Sequence, residues 1–314
     1  MKADKKQSQK VLSWAFASLQ GGRDENQDFY GSCKTADGSF LFVVCDGMGG
    51  LRGGSTASKE AVRVILEEAA NSTENDPELL LMDALQKANA AIYRLGRSKE
   101  GLRGMGTTVV ALLINDEKAT TAHVGDSRIY QLRGRNKVFR TFDHSMVFEL
   151  VKRGRLTEEQ ARLSADSNVI SRALGMKPEV EVEINANLPY LKGDRFMLCT
   201  DGISGALEER KLIRMIVSDE AVDKTVEELA KEIDHTGIEN GGGHDNLTAA
   251  LIEININSKI KPPMSKKSKL IIFILSLLLL VSIGLNICFL FFADVLPTKN
   301  REKTETVINN NYNI

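Results

Sequence analysis

The sequence predicts an α+β fold, a four-layer α-β-β-α sandwich of two mainly antiparallel sheets flanked by helices, plus one C-terminal transmembrane helix. Closely spaced strands between residues 107 and 141 favour antiparallel hairpins over parallel strands joined by crossover helices. Two pairs of helices, at 55–97 and 208–233, are expected to cover the sheets, because a one-sided apolar stripe has to pack against something. An uncharged stretch near the carboxyl terminus is long enough for the membrane span.

Strands are predicted where β-branched and apolar residues alternate or form short runs between turn residues. They cover Trp14–Gln20, Phe29–Cys33, Phe40–Cys45, Thr107–Ile114, Ala119–Val124, Arg128–Leu132, Val138–Thr141, Val180–Ile184, Arg195–Thr200 and Leu247–Ile254. The last of these strands is separated from the others by two helices, so the order is strands, helices, strands, helices, strand.

Helices are predicted from apolar stripes at helical spacing and from signals at their ends. They cover Ser55–Ala70, Asp76–Arg97, Met146–Arg153, Glu208–Val217 and Val222–Ile233. Asp76 is a capping residue, and Pro77 stands at the favoured first helical position. Thr157–Gln160 has the pattern of a capping box and opens a helical turn in a polar excursion that ends at Gly175.

The composition is that of a globular protein and excludes several classes of function. Of the 314 residues, 42% are apolar and 26% are charged, which is ordinary for a folded domain. The formal net charge of −1 gives no electrostatic basis for nucleic-acid binding. The 4 cysteines form no Cys-x-x-Cys pair, which argues against a zinc site or a disulfide scaffold and suits a reducing compartment.

The two ends of the chain differ in what they predict. Basic residues up to Lys10 and the triplet Ala15-Phe16-Ala17 faintly resemble an export signal, but too few apolar residues precede that triplet. We interpret this segment as the first strand. Leu270–Ala293, by contrast, carries no charge over a length of about 36 Å, enough to cross a hydrocarbon core of about 30 Å.

Charged residues beside this span predict its orientation. The linker 257–269 carries five lysines and no acid, whereas basic residues in the tail 294–314 are offset by acids. We therefore expect residues 1–256 to form a domain on the cytoplasmic face of the cell membrane, anchored by a single pass. The lysines are also expected to hold the domain near anionic lipid, and the tail 294–314 is expected outside the cytoplasm.

Acidic residues stand at the ends of several predicted strands. Asp46 follows a buried strand and precedes a glycine-rich turn, and Asp201 repeats this pattern. Asp245 comes just before the last strand, Asp143 follows another strand, and Asp28 precedes one. Considered alone, each of these aspartates is a common residue of a turn. Together they would repel unless cations neutralised them, and oxygen ligands select Mg²⁺ or Mn²⁺.

In this order the motifs resemble those of a known family, the bacterial metal-dependent Ser/Thr protein phosphatases of the PPM (2C-like) type. The resemblance covers about residues 14–254. It is carried by Arg23-x-x-Asn26-Gln27-Asp28, Asp46-Gly47-Met48-Gly49-Gly50, Gly106-Thr107-Thr108, Gly125-Asp126-Ser127-Arg128, Asp143-His144-Ser145, Asp201-Gly202 and Asp245-Asn246. Each motif alone is weak, and their combination is specific.

The resemblance implies a centre of two divalent cations, Mn²⁺ or Mg²⁺. Asp46, Asp201 and Asp245 would hold them, with Asp46 bridging and Gly47 adding its carbonyl oxygen. Asp28 would join through water. Asp143 would help Asp201 to hold a third, weaker cation.

The same resemblance assigns three further roles. Arg23 would clamp the substrate phosphate through its two-pronged guanidinium, which is a better match than an ammonium group. Asn246 would support the metal ligands from behind. Residues 155–175 would form a mobile flap beside the site.

One position departs from eukaryotic relatives, which carry a histidine directly after the Asp-Gly pair. Met48 stands there, as in bacterial members, so metal-bound water or another group has to protonate the leaving alcohol. His144 and His244 lie near the acids, but supporting or surface positions are expected for both. His123 is expected to be a packing residue. Gln27 replaces a glutamate common in relatives, which is expected to weaken the water-bridged contact only slightly.

The function that follows is hydrolysis of phosphoserine and phosphothreonine in proteins by water activated at the two cations, in opposition to a Ser/Thr kinase. The expected partners are phosphoproteins, including the kinase itself, and membrane lipid. Two alternatives stay open: a membrane-anchored pseudophosphatase that binds phosphoproteins without cleaving them, and an enzyme specialised for one regulator. Degenerate relatives usually lose metal-binding acids, whereas Asp46, Asp201 and Asp245 are all present.

Overall fold

The computed structural model describes residues 11–166, 169–259 and 266–293. The chain divides into two compact units, Met1–Lys261 and Pro262–Ile314. The strands are β1 Leu12–Leu19, β2 Asp28–Lys34, β3 Phe40–Met48, β4 Gly106–Thr107, β5 Val109–Ile114, β6 Ala119–Val124, β7 Arg128–Arg133, β8 Asn136–Arg140, β9 Glu183–Leu188, β10 Asp194–Cys199 and β11 Leu247–Ile254.

Eight α-helices lie within the described residues, together with a 3₁₀ turn at Glu100–Leu102. They are α1 Gly50–Asn71, α2 Pro77–Ser98, α3 Met146–Lys152, α4 Glu158–Arg162, α5 Asp201–Ser204, α6 Glu209–Ile216, α7 Val222–Glu239 and α8 Lys266–Ala293. The predicted end signals have their expected geometry. Asp76 accepts a hydrogen bond from the Glu78 backbone N–H ahead of Pro77, and Thr157 and Gln160 form the capping box.

The strands of the first unit form two antiparallel sheets. Within the described residues one sheet has the order β1-β11-β10-β7-β8, and the other has the order β2-β3-β5-β6-β9, with β4 pairing beside β3. Every pairing is antiparallel, as the short hairpin connections predict. Helices α1 and α2 cover the second sheet, and α6 and α7 cover the first. The predicted four-layer α-β-β-α sandwich is therefore confirmed.

The middle layer is an apolar core between the two sheets. Phe42 and Val44 of β3 meet Phe196 of β10 and Ile252 of β11 there, and each of these side chains is fully buried. Side chains alternate along a strand, so Leu41, Val43 and Cys45 point the other way and pack under the helices. This alternation decides what Asp46 faces.

Several predicted boundaries were wrong; the helix predicted at Val222–Ile233, for example, extends to Glu239. Helix α1 begins at Gly50 and not at Ser55, so the glycine-rich stretch is partly helical. The strand predicted at Val180–Ile184 lies at Glu183–Leu188, because the Val180 carbonyl accepts a hydrogen bond from Gln86 of α2 (2.7 Å). The segment predicted as one strand, Thr107–Ile114, is split into β4 and β5, since the Thr108 N–H donates to the Asp46 carbonyl (2.8 Å).

The second unit contains helix α8. By length and composition alone, the segment Lys269–Asn286 is the one stretch in the described part of the chain that is apolar enough to cross a membrane. The predicted tail 294–314 and residues 260–265 of the predicted linker lie outside the described residues.

Candidate functional site

The site is built on a direct pairing of two acids. Asp46 follows Phe42 and Val44 in phase along β3, so its side chain faces the space between the sheets. Asp28 lies directly opposite Asp46 in the β2–β3 pairing. Directly opposed residues share one face of an antiparallel pair, so the two carboxyl groups point to the same side.

The other acids come from the first sheet, which contains β10 and β11, and from one turn. Asp201 opens α5 immediately after β10, and Asp245 stands just before β11, the neighbour of β10. Asp126 lies in the turn between β6 and β7 and is buried. Four of the five acids, all except Asp126, are among the predicted metal-binding residues.

The charges of these carboxyl groups act on one another. Loss of hydration raises the pKa of Asp46 well above its ordinary value, and the negative charges of Asp201, Asp28, Asp126 and Asp245 raise it further. Burial also raises the pKa of Asp201, followed by repulsion from Asp245. The structure therefore brings together acids that are far apart in sequence.

Two of these five carboxyl groups, those of Asp28 and Asp126, have pKa values near neutral pH. Burial raises the pKa of Asp28 to about 7, although hydroxyl groups of Thr248 and Thr200 donate to its carboxylate and oppose the shift. Burial and the charge of Asp201 raise the pKa of Asp126 to about 8. Without a counter-charge this cluster is costly, which is the usual signature of an acidic cation site.

The donor atoms fit divalent cations. Oδ1 of Asp28 and Oδ1 of Asp201 are buried and have no hydrogen-bond partner among the described residues. A buried carboxylate oxygen left unpaired is unfavourable unless a cation binds it. All the candidate ligands are oxygens, and oxygen-only sites select Mg²⁺ or Mn²⁺ over zinc.

The backbone after Asp46 is packed too closely for side chains. A Cβ atom at Gly47 would lie 2.1 Å from the Gly54 carbonyl oxygen, and one at Gly54 would lie 2.7 Å from the Gly47 carbonyl oxygen. Gly49 has φ +119°, a conformation that favours glycine. These glycines let the chain turn sharply beside the acids and bring the Gly47 carbonyl close to the start of α1.

Arg23 lies at the mouth of the site. Its Nη2 donates to Oδ2 of Asp245 at 2.9 Å, and both side chains are exposed. The predicted phosphate clamp therefore contacts a predicted metal ligand directly.

Asn246 ties the Arg23 loop to the start of β11. Its Oδ1 accepts from the Gln27 N–H (2.9 Å), and its Nδ2 donates to the carbonyl oxygens of Gln20 (2.7 Å) and Glu25 (3.1 Å). These contacts bracket the loop on both sides of Arg23. The position matches the supporting role that the sequence predicts for Asn246.

Asp143 has a different environment from the other acids. Arg128 donates to both of its oxygens, from Nε at 2.8 Å and from Nη2 at 2.7 Å, and both side chains are largely buried. Asp143 is thus neutralised by an arginine of the chain itself.

Asp126 is the acid that the sequence prediction missed. It belongs to the Gly125-Asp126-Ser127-Arg128 motif, which the resemblance used without assigning this residue a role. Asp126 interacts electrostatically with both Asp46 and Asp201. The signal was present in the sequence, but an Asp after Gly in a hairpin turn is too common to stand out.

His123, His144 and Glu183 form a second polar cluster, and three of their ligand-type atoms lie within 4.8 Å of one another. The two imidazole rings are stacked, with centroids 4.5 Å apart and planes at 18°. A cation bound by both rings has to lie in both ring planes, which stacked rings do not allow. The Gly125 N–H also donates to Nδ1 of His144, which leaves the proton on Nε2.

This cluster is therefore a hydrogen-bonded support and not a cation site in the observed arrangement. His144 anchors Gly125 through Nδ1 and through its own N–H, which donates to the Gly125 carbonyl at 2.9 Å. Burial lowers the pKa of His144 to about 4, so it is neutral at physiological pH. The Nε2–H group of His244 donates to Oδ1 of Asp234 (2.8 Å).

A cavity of about 450 Å³ opens beside the acids. It is lined by Arg23, Asp201 and Asp245, and also by Phe148 of α3 and Ala161 of α4. Helix α4 lies within residues 155–175, the predicted flap. Near its end, this segment contacts β4 at Leu174. The N–H of Leu174 donates to the Thr107 carbonyl oxygen, and the Leu174 carbonyl oxygen accepts from the Thr107 N–H.

Comparison with known proteins gives consistent matches. The sequence model of the family described as "Protein phosphatase 2C" matches residues 20–251. The chain is 35% identical over 243 residues to the serine/threonine phosphatase stp of Listeria innocua, which covers 76% of this chain and 93% of that protein.

Solved structures show the same fold. The S. agalactiae serine/threonine phosphatase superposes with a TM-score of 0.70 at 30% identity, covering 78% of this chain and 100% of that one. The catalytic domain of the phosphatase PstP in complex with 2 manganese ions superposes with a TM-score of 0.65 at 28% identity, covering 78% and 99%.

Proposed function

The chain belongs to the protein phosphatase 2C family and is a metal-dependent serine/threonine protein phosphatase, and we propose that it hydrolyses phosphoserine and phosphothreonine by direct attack of a water activated at a two-cation centre. The observation that carries this proposal is the convergence of Asp28, Asp46, Asp201 and Asp245, with two buried carboxylate oxygens left unpaired. No serine or cysteine nucleophile is required.

The acids have distinct proposed roles. Two divalent cations, Mn²⁺ or Mg²⁺, supply the charge that lowers the pKa of a water and offsets the charge of the phosphate oxygens. Asp46, whose carboxyl group is repelled by all four other acids, would be the ligand shared by the two cations, and Asp201 and Asp245 would also hold them. The Gly47 carbonyl joins Asp46, and Asp28, held by the Thr200 hydroxyl (3.0 Å), acts through water.

Arg23 is proposed to bind the phosphate. Its guanidinium pairs with Asp245. The loop that carries Arg23 is exposed, and Asn246 holds this loop in place. A bidentate fork matches two phosphate oxygens, so Arg23 orients the phosphorus toward the acids. Asn246 contributes by holding the loop and not by contacting substrate.

A third, weaker cation is proposed beside Asp201. Two acids are candidates for completing its site. Asp143 has both oxygens occupied by Arg128, whereas Asp126 is buried and its pKa is raised by burial and by the charge of Asp201. We propose that Asp126 contributes more to this cation than Asp143 does.

The location of the enzyme is a further proposal. Helix α8 is long and apolar enough for a single membrane pass, and the lysines before it favour a cytoplasmic domain. Strand β11 starts next to Asp245 and ends at Ile254, so the chain leaves the domain at the end of the sheet remote from the acids. The proposed substrates are phosphoproteins, among them a cognate Ser/Thr kinase.

The test is phosphate release by the full-length chain in detergent. We expect Mn²⁺-dependent turnover of a phosphothreonine peptide that EDTA abolishes. Asp46→Asn should remove this activity, while Asp219→Asn, at an exposed acid outside the cluster, should retain it. Binding of the phosphopeptide without release, at any Mn²⁺ concentration, would instead support the pseudophosphatase alternative.

A further inference from the structure

Arg140 is a buried arginine at the end of β8, outside the acid cluster. Only 4% of its side chain is exposed. Its guanidinium carbon lies 5.2 Å from the ring centroid of Phe142 and 5.6 Å from that of Phe148. A buried guanidinium is costly unless its charge and N–H groups are satisfied, so its partners are informative.

These partners come from two different parts of the first unit. Nη1 and Nη2 of Arg140 donate to the two oxygens of Glu158, at 2.5 Å and 3.0 Å. Nη1 also donates to Oε1 of Glu209 at 2.9 Å. Glu158 is the first residue of α4, in the flap, and Glu209 is the first residue of α6, in the helical layer over the sheet. One buried cation therefore joins the flap to the body of the domain.

The flap helix has few other anchors of this strength. Ala161 packs in a small cluster with Val147 and Phe148 of α3. Arg162 reaches the Gly205 carbonyl oxygen from Nη1 at only 3.5 Å. Helix α4 has five residues, too few to be stable without tertiary contacts. The ion pair with Arg140 is thus the main polar contact that positions α4.

The position of α4 determines the shape of the catalytic cavity. Ala161 and Arg162 line the cavity together with Arg23 and Asp245. Phe148, which lies against Arg140, also lies 5.1 Å from the guanidinium of Arg128, the partner of Asp143. A small phosphate ester needs only the acids and Arg23. A phosphopeptide also places the residues that flank its phosphorylated side chain against the part of the cavity lined by Ala161 and Arg162.

We propose that Arg140 is a positioning residue for substrate selection: by binding Glu158 and Glu209 together it holds α4 as the wall that contacts residues flanking the phosphorylated side chain. This inference rests on the proposed phosphatase function. Charge-assisted bidentate pairing at a largely buried guanidinium is strong enough to hold a short helix. Glu158→Gln keeps the shape of the side chain and removes its charge.

The experiment compares two adjacent glutamates in the full-length chain. Glu159, next in sequence, pairs with Arg162 within α4 and is exposed, so Glu159→Gln is the matched control. We expect Glu158→Gln to raise KM for a phosphothreonine peptide about 5-fold to 10-fold, with kcat within about 2-fold, equivalent to roughly 1 kcal/mol of binding. Turnover of p-nitrophenyl phosphate should stay within about 2-fold of wild type, and Glu159→Gln should match wild type on both substrates.

A structural readout keeps the inference independent of activity. Trypsin sites at Arg153 and Arg155 lie just before α4 and are exposed. We expect Glu158→Gln and Glu209→Gln to accelerate cleavage there, the double variant to add little to either one, and Glu159→Gln to have no effect. Equal peptide KM and equal cleavage for Glu158→Gln and Glu159→Gln would overturn the proposal. Absence of all turnover in the wild type would instead count against the phosphatase function.

Discussion

Arg23 and Asp245, 222 positions apart in the sequence, form an ion pair of 2.9 Å at the mouth of the acid cluster. The pair joins the proposed phosphate clamp to a proposed metal ligand. A cation that binds Asp245 therefore competes with Arg23, and binding of the cation frees the guanidinium for phosphate.

Replacing Arg23 by alanine should separate cation binding from substrate binding. An exposed ion pair contributes up to about 1 kcal/mol, so Mn²⁺ should bind about 2-fold to 5-fold more tightly to Arg23→Ala. KM for a phosphopeptide should rise at least about 10-fold, because the fork for the phosphate is lost. Calorimetric titration with Mn²⁺ and steady-state kinetics measure the two effects.

The control for this variant is Arg63→Ala. Arg63 is an exposed arginine of α1, paired with Glu60 and Glu67. Its replacement should leave both constants unchanged. Weaker Mn²⁺ binding by Arg23→Ala would show that Arg23 supports the cation site and does not compete with it.

Asp46→Asn should abolish catalysis while stabilising the metal-free protein. Loss of the bridging ligand should lower kcat by about three orders of magnitude. Removing one charge from a repelling cluster should raise the unfolding free energy without metal by about 1 kcal/mol. Urea unfolding with EDTA measures the second effect, and a lower stability of Asp46→Asn than of wild type would contradict it.

The metal-free protein should lose stability as the pH rises from 6.5 to 8. The pKa of Asp28 is about 7 and that of Asp126 about 8 in the folded state, both above the ordinary value of 3.8. In this range the folded chain holds protons that the unfolded chain has already released. The unfolding free energy should therefore fall, by about 2 kcal/mol per pH unit near pH 6.5 and by about 1 kcal/mol per pH unit near pH 8.

The pH range from 6.5 to 8 limits an opposing effect on the unfolding free energy. The pKa of His144 is lowered from 6.5 to about 4, so this group favours folding as the pH rises, but only below 6.5. Chemical denaturation at several pH values measures the slope. Asp126→Asn should reduce it, and saturating Mn²⁺ should remove it, because the cation replaces the protons. A slope that is unchanged by Mn²⁺ would separate these acids from the cation site.

Asn246→Ala should weaken the loop that carries Arg23. The variant loses three hydrogen bonds from one side chain, which should cost about 2–3 kcal/mol of unfolding free energy. KM for a phosphopeptide should rise more than kcat falls, since the loop positions Arg23. Asn71→Ala, at an exposed asparagine that ends α1, is the control. Equal effects of the two variants would argue against a special role for Asn246.

Asp126→Asn and Asp143→Asn should affect different properties. Asp126→Asn should weaken the most weakly bound Mn²⁺, followed by electron paramagnetic resonance during titration. Asp143→Asn should leave the number of bound cations unchanged but destabilise the fold by about 3 kcal/mol, because Arg128 loses its buried partner. The reverse pattern would restore Asp143 as the ligand of the third cation.

Much of the fold could be predicted because its signals are local. The alternation along β3 separates the residues that face the helices from those that face the other sheet, and Asp46 follows in phase. The caps at Asp76 and Thr157 depend on a few neighbouring residues, so their geometry follows from sequence. The length and composition of α8 likewise require no partner.

The boundaries that were wrong depend on distant partners. The chain at Val180 resembles a strand, but Gln86 of α2 binds its carbonyl oxygen and pairing begins only at Glu183. The glycines after Asp46 resemble a loop, and their helical start at Gly50 depends on packing with the rest of the domain. Local propensity is a weak determinant where tertiary contacts supply more free energy.

The sequence by itself determined which side chains were available: acids at the ends of buried strands, an arginine in the first loop and an apolar carboxyl-terminal helix. Only the tertiary structure decided which of them meet. Asp126 joins the acid cluster, Arg128 neutralises Asp143, Arg23 pairs with Asp245, and Arg140 links the flap to α6. The physical reason is that electrostatic and hydrogen-bond energies depend on distances between atoms. These distances are set by strand register and layer packing between residues as far apart as Gln20 and Asn246, which are 226 positions apart.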